Sequence, residues 1–185
     1  MPVIYIILLV LVALLVLLLT MGFFLPAQWM IEDAVLIENT PDQIFPYFHY
    51  PHLWLQWFHL FEEEDVTYEL LGKKMGPGAG LKWQSAEMKG EMLIKQMVNQ
   101  QKIELKLIIE DQKFKIRSTI VLDPASPEYT QVAWRMVWDE SKKWNPIERF
   151  QAFFLRAHFE NVVKNSLVKL ELLISKTSDS NSTDL

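Results

Sequence analysis

The four histidines are the first residues in this sequence that could bind a metal ion or transfer a proton. His49, His52 and His59 lie close together along the chain and could supply imidazole ligands to zinc. Pro51 interrupts this segment, and no Cys or suitably spaced acid joins it, so we expect no metal site and no cofactor. The chain has no Cys and no Gly-x-Ser-x-Gly motif, so common arrangements for nucleophilic catalysis lack support and no catalytic residue is predicted.

Aromatic side chains are the stronger functional signal, because eight of the 17 residues at positions 45–61 are aromatic. Such residues usually fill a core, but pockets for apolar ligands are also lined by aromatic groups with a few polar groups that orient the ligand. Both interpretations stay open. The candidate cavity-lining residues are Trp54, Trp57, Trp83, Trp134, Trp138, Phe150 and Phe154.

The elements that would position these residues begin with an apolar amino terminus. Residues 3–25 carry no charge, and a helix of this length rises about 34 Å, enough to cross a hydrocarbon core of about 30 Å. The sequence therefore predicts an uncleaved single transmembrane helix over residues 1–26 that contacts the lipid bilayer through residues 3–25. A cleaved signal peptide is less favoured, because no Lys or Arg precedes the apolar run. Trp29 could lie at the membrane interface.

Charge limits the possible partners and weakly orients the span. Glu32 and Asp33 follow it and the first base is Lys73, which weakly favours the domain on the outer, extracytoplasmic side. The later Lys and Arg residues are scattered singly along predicted strands. This pattern is typical of a solvated face, so we expect no nucleic-acid partner.

The remaining chain predicts strands followed by a helix. A strand over residues 30–38 leads to a helix start at Thr40, and six segments between residues 66 and 138 alternate as strands of an antiparallel meander. Asn145 and Pro146 begin a helical region. Its two apolar faces are nearly opposite, which predicts a kink near residues 156–161. The polar composition of residues 175–185 predicts a disordered tail.

This order of elements resembles the SRPBCC superfamily, the START-like or Bet v 1-like helix-grip fold, and within it the polyketide cyclase/dehydrase and lipid-transport type. The chain after residue 31 looks like the family's opening "I-x-A-P-x-x-V-F", and residues 51–57 look like its "W-x-x-W" helix. Residues 76–81 resemble its "G-x-G" hairpin, and residues 159–170 its terminal "F-x-x-x-L-x-x-L-K". The resemblance covers residues 29–174. It implies an α+β domain in which a curved antiparallel sheet wraps around a long carboxy-terminal helix, with a hydrophobic pocket but no one shared chemistry.

The sequence thus favours membrane-anchored binding of a hydrophobic small molecule or lipid, in a cavity between the sheet and the carboxy-terminal helix. One alternative is an interaction or structural module at the membrane with a vestigial pocket. The other is a cyclase- or hydratase-like enzyme, which would need an ionisable side chain facing the cavity.

Overall fold

Seven antiparallel strands form one curved sheet that grips a long carboxy-terminal helix. The computed structural model describes residues 2–26, 28–61, 65–86, 88–109, 114–139 and 145–182. The helices are α1 (Pro2–Phe24), α2 (Pro41–Ile44), α3 (Pro46–His49), α4 (Pro51–Trp57), a 3₁₀ turn (His59–Phe61) and α5 (Pro146–Ser182). The strands are β1 (Gln28–Ile37), β2 (Thr67–Gly72), β3 (Ala79–Gln84), β4 (Lys89–Val98), β5 (Lys102–Ile109), β6 (Phe114–Pro124) and β7 (Thr130–Asp139).

The predicted meander is confirmed, and β1 extends it at one edge. The strand order is β1-β7-β6-β5-β4-β3-β2, so the first strand pairs with the last. Alternation sets the two faces: Ile103, Leu105 and Leu107 of β5 point inward and are buried, while Lys106 points outward. The sheet and α5 together enclose one hydrophobic core.

Helix α5 corrects the predicted kink, because it is one uninterrupted α-helix of 37 residues. It begins where the sequence predicts, and the Asn145 side-chain oxygen accepts a hydrogen bond from the Ile147 amide at 3.0 Å. One stripe of the helix, which includes Ala152, Phe159 and Leu170, is buried along its length. The second apolar stripe is turned away from the core, so no kink is needed to bury both. The helix also continues to Ser182, past the point where the composition predicts disorder, and residues 183–185 lie outside the described residues.

Helix α1 is the one described helix that is long and apolar enough to cross a membrane, by length and composition. Its most apolar residues are not buried against the rest of the chain, unlike those of a core helix in a soluble protein, and a signal sequence shares this length and composition. The placement of Trp29 at a membrane interface is wrong. Its side chain is 6% exposed and packs on Trp138, because β1 turns it into the core.

The end of α1 packs against the start of α5. A Cβ atom placed on Gly22 would lie 2.6 Å from Cβ of Pro146 and 3.0 Å from the Phe150 ring, so only glycine permits this approach. The Arg149 guanidinium donates hydrogen bonds to the carbonyl oxygens of Phe23 at 2.6 Å and Leu25 at 3.2 Å. These carbonyls lie at the carboxy-terminal end of α1, where a helix leaves such acceptors unpaired and favours a cation.

Candidate ligand-binding interior

Three tryptophans in the middle of the core, here called the central tryptophans, are Trp54, Trp57 and Trp134. Each is at most 1% exposed, and the rings of Trp57 and Trp134 meet at 5.7 Å. Their indole N–H groups are all hydrogen-bonded: Trp54 to the Phe48 carbonyl at 3.1 Å, Trp57 to the Tyr47 carbonyl at 3.1 Å, and Trp134 to Ser118 Oγ at 2.6 Å. The central tryptophans are therefore satisfied core residues that fix α3 and α4 against the sheet.

Three other tryptophans lie at the end of the sheet where β1 begins, just after α1. These α1-side tryptophans are Trp29, Trp83 and Trp138, and each is buried. Their Nε1 atoms are inaccessible to solvent and have no hydrogen-bond partner among the residues that the structure describes. Burying an indole N–H without an acceptor costs about 1–3 kcal/mol. Such groups in a native interior need an explanation, and a bound acceptor is one.

The strand register brings the α1-side tryptophans to the inner face at one end of the sheet. Trp29 is directly opposite Trp138, and Trp138 is opposite Ile116 on β6. Trp83 is opposite Gly90 on β4, and its ring lies across that glycine, since a Cβ there would be 2.6 Å from the ring. Phe114 contacts Trp138 at 6.0 Å between ring centroids. These residues line an aromatic interior that carries hydrogen-bond donors.

The polar side chains buried in the described core are three hydroxyls, Ser118, Thr130 and Ser166. Ser118 accepts from Trp134, Thr130 donates to the Asn39 carbonyl at 2.7 Å, and Ser166 donates to the Val162 carbonyl at 2.5 Å. All three therefore already serve the fold. They are hydroxyl groups that form no acid–base pair with one another.

Perturbed pKa values occur away from the tryptophans. The negative charge of Glu38 raises the pKa of Tyr129, and the hydrogen bond to Glu32 raises the pKa of Arg135. Burial lowers the pKa of Lys169 on α5. Arg135 lies on the outer face of the sheet, as its strand parity predicts, where it pairs with Glu32 at 3.0 Å. Its charge is therefore directed away from the interior.

Two predicted cavity residues, Phe150 and Phe154, do not line the interior. Phe154 is 67% exposed, and Phe150 is half-buried beside Gly22 of α1. The reason is helical geometry: at 100° per residue both lie nearly opposite the stripe that includes Ala152 and Phe159. The sheet covers that stripe only.

The histidines do not converge on a metal site. No group of three or more His, Asp or Glu side chains able to hold a metal ion occurs in the described parts of the chain. His49 is in α3, where its carbonyl accepts a hydrogen bond from Gly76 at 3.2 Å, and His52 is in α4. Both contact the ring of Tyr50. His158 is half-buried on α5 against Phe159.

A basic depression on the outer face of the sheet is a feature that the sequence interpretation missed. It has a volume of about 600 Å³. Four cations and one acid lie around it: Lys95, Lys106, Lys115, Arg117 and Glu104. The other lining residues are apolar or small. Strand parity could have placed Lys106, Lys115 and Arg117 on one face, but their grouping depends on register, in which Lys106 lies opposite Arg117.

Comparison with solved structures identifies the same architecture. A crystal structure of a protein from Mesorhizobium loti matches with a TM-score of 0.59 at 13% identity, covering 80% of this chain and 98% of that one. The crystal structure of Ara h 8.0201 matches with a TM-score of 0.54 at 11% identity, covering 80% and 99%. Truncated norcoclaurine synthase from Thalictrum flavum gives 0.50 at 14% identity, covering 60% and 74%. No protein-family model and no curated protein matches the chain. At these identities the likeness concerns the fold alone, and the fold is the Bet v 1-like helix-grip fold expected from the sequence.

Proposed function

We propose that this chain is a single-pass membrane protein whose helix-grip domain binds a hydrophobic molecule carrying at least one hydrogen-bond acceptor. The observation that carries the proposal is the buried N–H groups of the α1-side tryptophans, which meet no acceptor among the described residues. Pockets for apolar ligands combine aromatic walls with a few polar groups of this kind. A carboxyl, carbonyl or ester group of a lipid would accept from an indole N–H, whereas a ligand that only donates would not.

Membrane anchoring is supported by how α1 joins the domain. The most apolar stretch of α1 is not buried against the rest of the described chain, as expected for a helix that faces lipid. At the same time, its last turn is held by Arg149 and by the close approach at Gly22. A segment removed as a signal peptide would take these contacts with it, so they favour a retained helix. The anchor would keep the α1-side tryptophans near the bilayer, where lipids are concentrated.

Photocrosslinking in membranes tests ligand binding and locates it. The full chain would be placed in phosphatidylcholine vesicles with a fatty acid that carries a photoreactive diazirine on its acyl chain. We expect crosslinks on inward-facing residues of β3, β6 and β7 as well as on α1. Crosslinks confined to α1 and outward surfaces would overturn interior binding while leaving the anchor intact.

A matched pair of variants sharpens this experiment. Trp138→Phe removes an N–H that has no described acceptor, whereas Trp54→Phe removes one that is already bonded to a backbone carbonyl. Both variants replace an indole with the same smaller phenyl ring. Reduced interior crosslinking for Trp138→Phe relative to Trp54→Phe is the expected result, and equal reduction would contradict a donor role for Trp138.

We also propose that the domain faces the extracytoplasmic side, on the basis of the acidic residues Glu32 and Asp33 just after α1. The chain has no Cys, so a single Leu172→Cys variant gives one reactive thiol on an exposed part of α5. A membrane-impermeant maleimide should label it in intact cells. Labelling only after lysis would place the domain inside.

A second candidate function uses the basic depression rather than the interior. The cations Lys95, Lys106, Lys115 and Arg117 surround an open space of about 600 Å³, which suits an acidic group of a protein partner at the membrane. A Lys106→Glu/Lys115→Glu variant should then lose the partner in a low-salt pull-down while interior crosslinking is unchanged. Retention of the partner by this variant would remove the second candidate.

A further inference from the structure

The outward side of the first turns of α5 carries exposed phenylalanines. This outer α5 face consists of Ile147, Phe150, Phe153 and Phe154. Ile147 is 56% exposed, Phe153 46% and Phe154 67%, and the last two rings meet edge to face at 5.8 Å. Outside α1, Phe153 and Phe154 are the only phenylalanines in the described residues with such exposure. Exposed apolar clusters of this kind mark surfaces that contact another apolar phase or partner.

The outer α5 face is continuous with the end of α1. Phe150 approaches the backbone at Gly22, and Ile147 and Phe154 lie three before and four after it, on the same side of the helix. Arg149, which directly precedes Phe150, donates hydrogen bonds to the carbonyls of Phe23 and Leu25. These contacts hold the first turns of α5 at the level where the apolar run of α1 ends.

We propose that the outer α5 face lies in the interfacial region of the bilayer that α1 crosses. This inference rests on the transmembrane placement of α1 in the proposed function. Residues at the end of a span lie at the headgroup level, where aromatic rings are favoured and an Arg side chain can keep its charge in the polar layer. An apolar helix face at that level enters the boundary between headgroups and acyl chains by about 5–10 Å.

Lipid is the occupant that the neighbouring surface favours. The most apolar stretch of α1 is not buried against the rest of the described chain, so in a membrane it would be surrounded by acyl chains. The outer α5 face meets the end of α1 at Phe150, whose ring lies beside Gly22. Docking would also hold the end of the sheet with the α1-side tryptophans against the membrane, where a lipid could enter.

The same helix supplies a control position. Leu172 is 18 residues after Phe154, which is five full turns, so it points to the same side about 27 Å farther along the axis. It is 54% exposed and also apolar. A general tendency of apolar side chains to contact lipid would affect both positions. Docking at the start of α5 affects only Phe154.

Nitroxide labelling of single cysteines tests this placement in the full chain. The variants Phe154→Cys, Leu172→Cys and Leu14→Cys each introduce one thiol into a chain that has none. The label would be examined in phosphatidylcholine vesicles with oxygen, which concentrates in lipid, and with a water-soluble nickel chelate. We expect lipid-like relaxation at residues 14 and 154 and water-like relaxation at residue 172. Circular dichroism would check that each variant keeps its helix content.

The outcomes separate this inference from the proposed function. Water-like relaxation at residue 154 with lipid-like relaxation at residue 14 would overturn docking and leave the anchor standing. Water-like relaxation at residue 14 would overturn the anchor and, with it, the docking. Equal immersion at residues 154 and 172 would also contradict docking at the first turns. Dipolar broadening between labels at residue 154 would instead assign the face to a second copy of the chain.

Discussion

The central and the α1-side tryptophans are equally aromatic and almost equally buried, yet the fold treats their N–H groups differently. The central group directs all three toward oxygen acceptors, two of them carbonyls of α3. The α1-side group leaves three without an acceptor among the described residues. A neutral hydrogen bond contributes only about 0.5–1.5 kcal/mol, whereas an unsatisfied buried donor costs about 1–3 kcal/mol. The α1-side arrangement therefore costs more folding free energy.

Stability and the proposed binding should depend on different tryptophans. The central tryptophans connect elements that are distant in sequence, because Trp134 of β7 contacts Trp57 of α4. At the end of the sheet nearest α1, Trp138 contacts both Trp29 and Phe114, whereas Trp83 contacts Phe61. In the proposed function, the donors that the described fold leaves without an acceptor at that end would bond an acceptor on a ligand. The central group should therefore dominate the free energy of unfolding, and the α1-side group should dominate binding.

The largest difference is expected between Trp134→Phe and Trp138→Phe. Both lose packing, but Trp134→Phe also removes a 2.6 Å hydrogen bond and leaves the buried Ser118 hydroxyl without that donor. Trp134→Phe should therefore lower the free energy of unfolding by about 1–3 kcal/mol more than Trp138→Phe. Urea unfolding of the detergent-solubilised full chain, followed by near-ultraviolet circular dichroism, measures the difference. Equal losses would show that the two groups of tryptophans do not differ in this way.

Ser118→Ala should convert Trp134 into a residue like those of the α1-side group. It removes the acceptor and leaves a buried indole N–H, which should cost about 1–3 kcal/mol. The double variant Ser118→Ala/Trp134→Phe removes both partners, so its loss should be smaller than the sum of the single losses. Strict additivity of the two losses would indicate that the hydrogen bond contributes nothing.

A smaller effect is expected on ligand retention when α1-side donors are removed. Trp83→Phe and Trp138→Phe should each weaken fatty-acid binding by about two- to tenfold, the equivalent of one neutral hydrogen bond of about 0.5–1.5 kcal/mol. Native mass spectrometry of the full chain released from detergent, titrated with oleic acid, reports the bound fraction. Trp54→Phe is the control and should retain the wild-type affinity within twofold, since its N–H is already bonded.

Local pattern was enough to predict most of the fold. Alternation in β5 and β6 predicts which residues are buried, because each strand has one covered face and the register follows from short turns. The start of α5 at Asn145 was predicted from a cap that the structure contains. The apolar length of α1 likewise follows from composition.

The candidate site was less predictable, because its properties depend on how neighbouring elements pack. The carbonyls that accept from Trp54 and Trp57 lie only six and ten residues earlier, but the packing of α3 against α4 decides that they meet those N–H groups. The sequence predicts that Phe150 and Phe154 face a cavity, because an apolar stripe on a helix usually faces the core. The sheet covers only one side of α5, and the other side meets α1 or remains exposed. A helical wheel identifies two stripes but does not show which neighbour covers each.

The smallest effect is expected at Arg135, the neighbour of Trp134 on β7, and it sets the background for the other variants. Arg135 points to the outer face, where its ion pair with Glu32 is about half exposed on both sides. Exposed pairs gain little, because water screens the charges and two long side chains must be held in place. Arg135→Ala should therefore leave the urea midpoint unchanged within error, at low and at high salt. If it lowered the midpoint as much as Trp134→Phe, the loss at Trp134 would reflect general damage to β7 rather than its hydrogen bond to Ser118, and the contrast between the two groups of tryptophans would lose its physical basis.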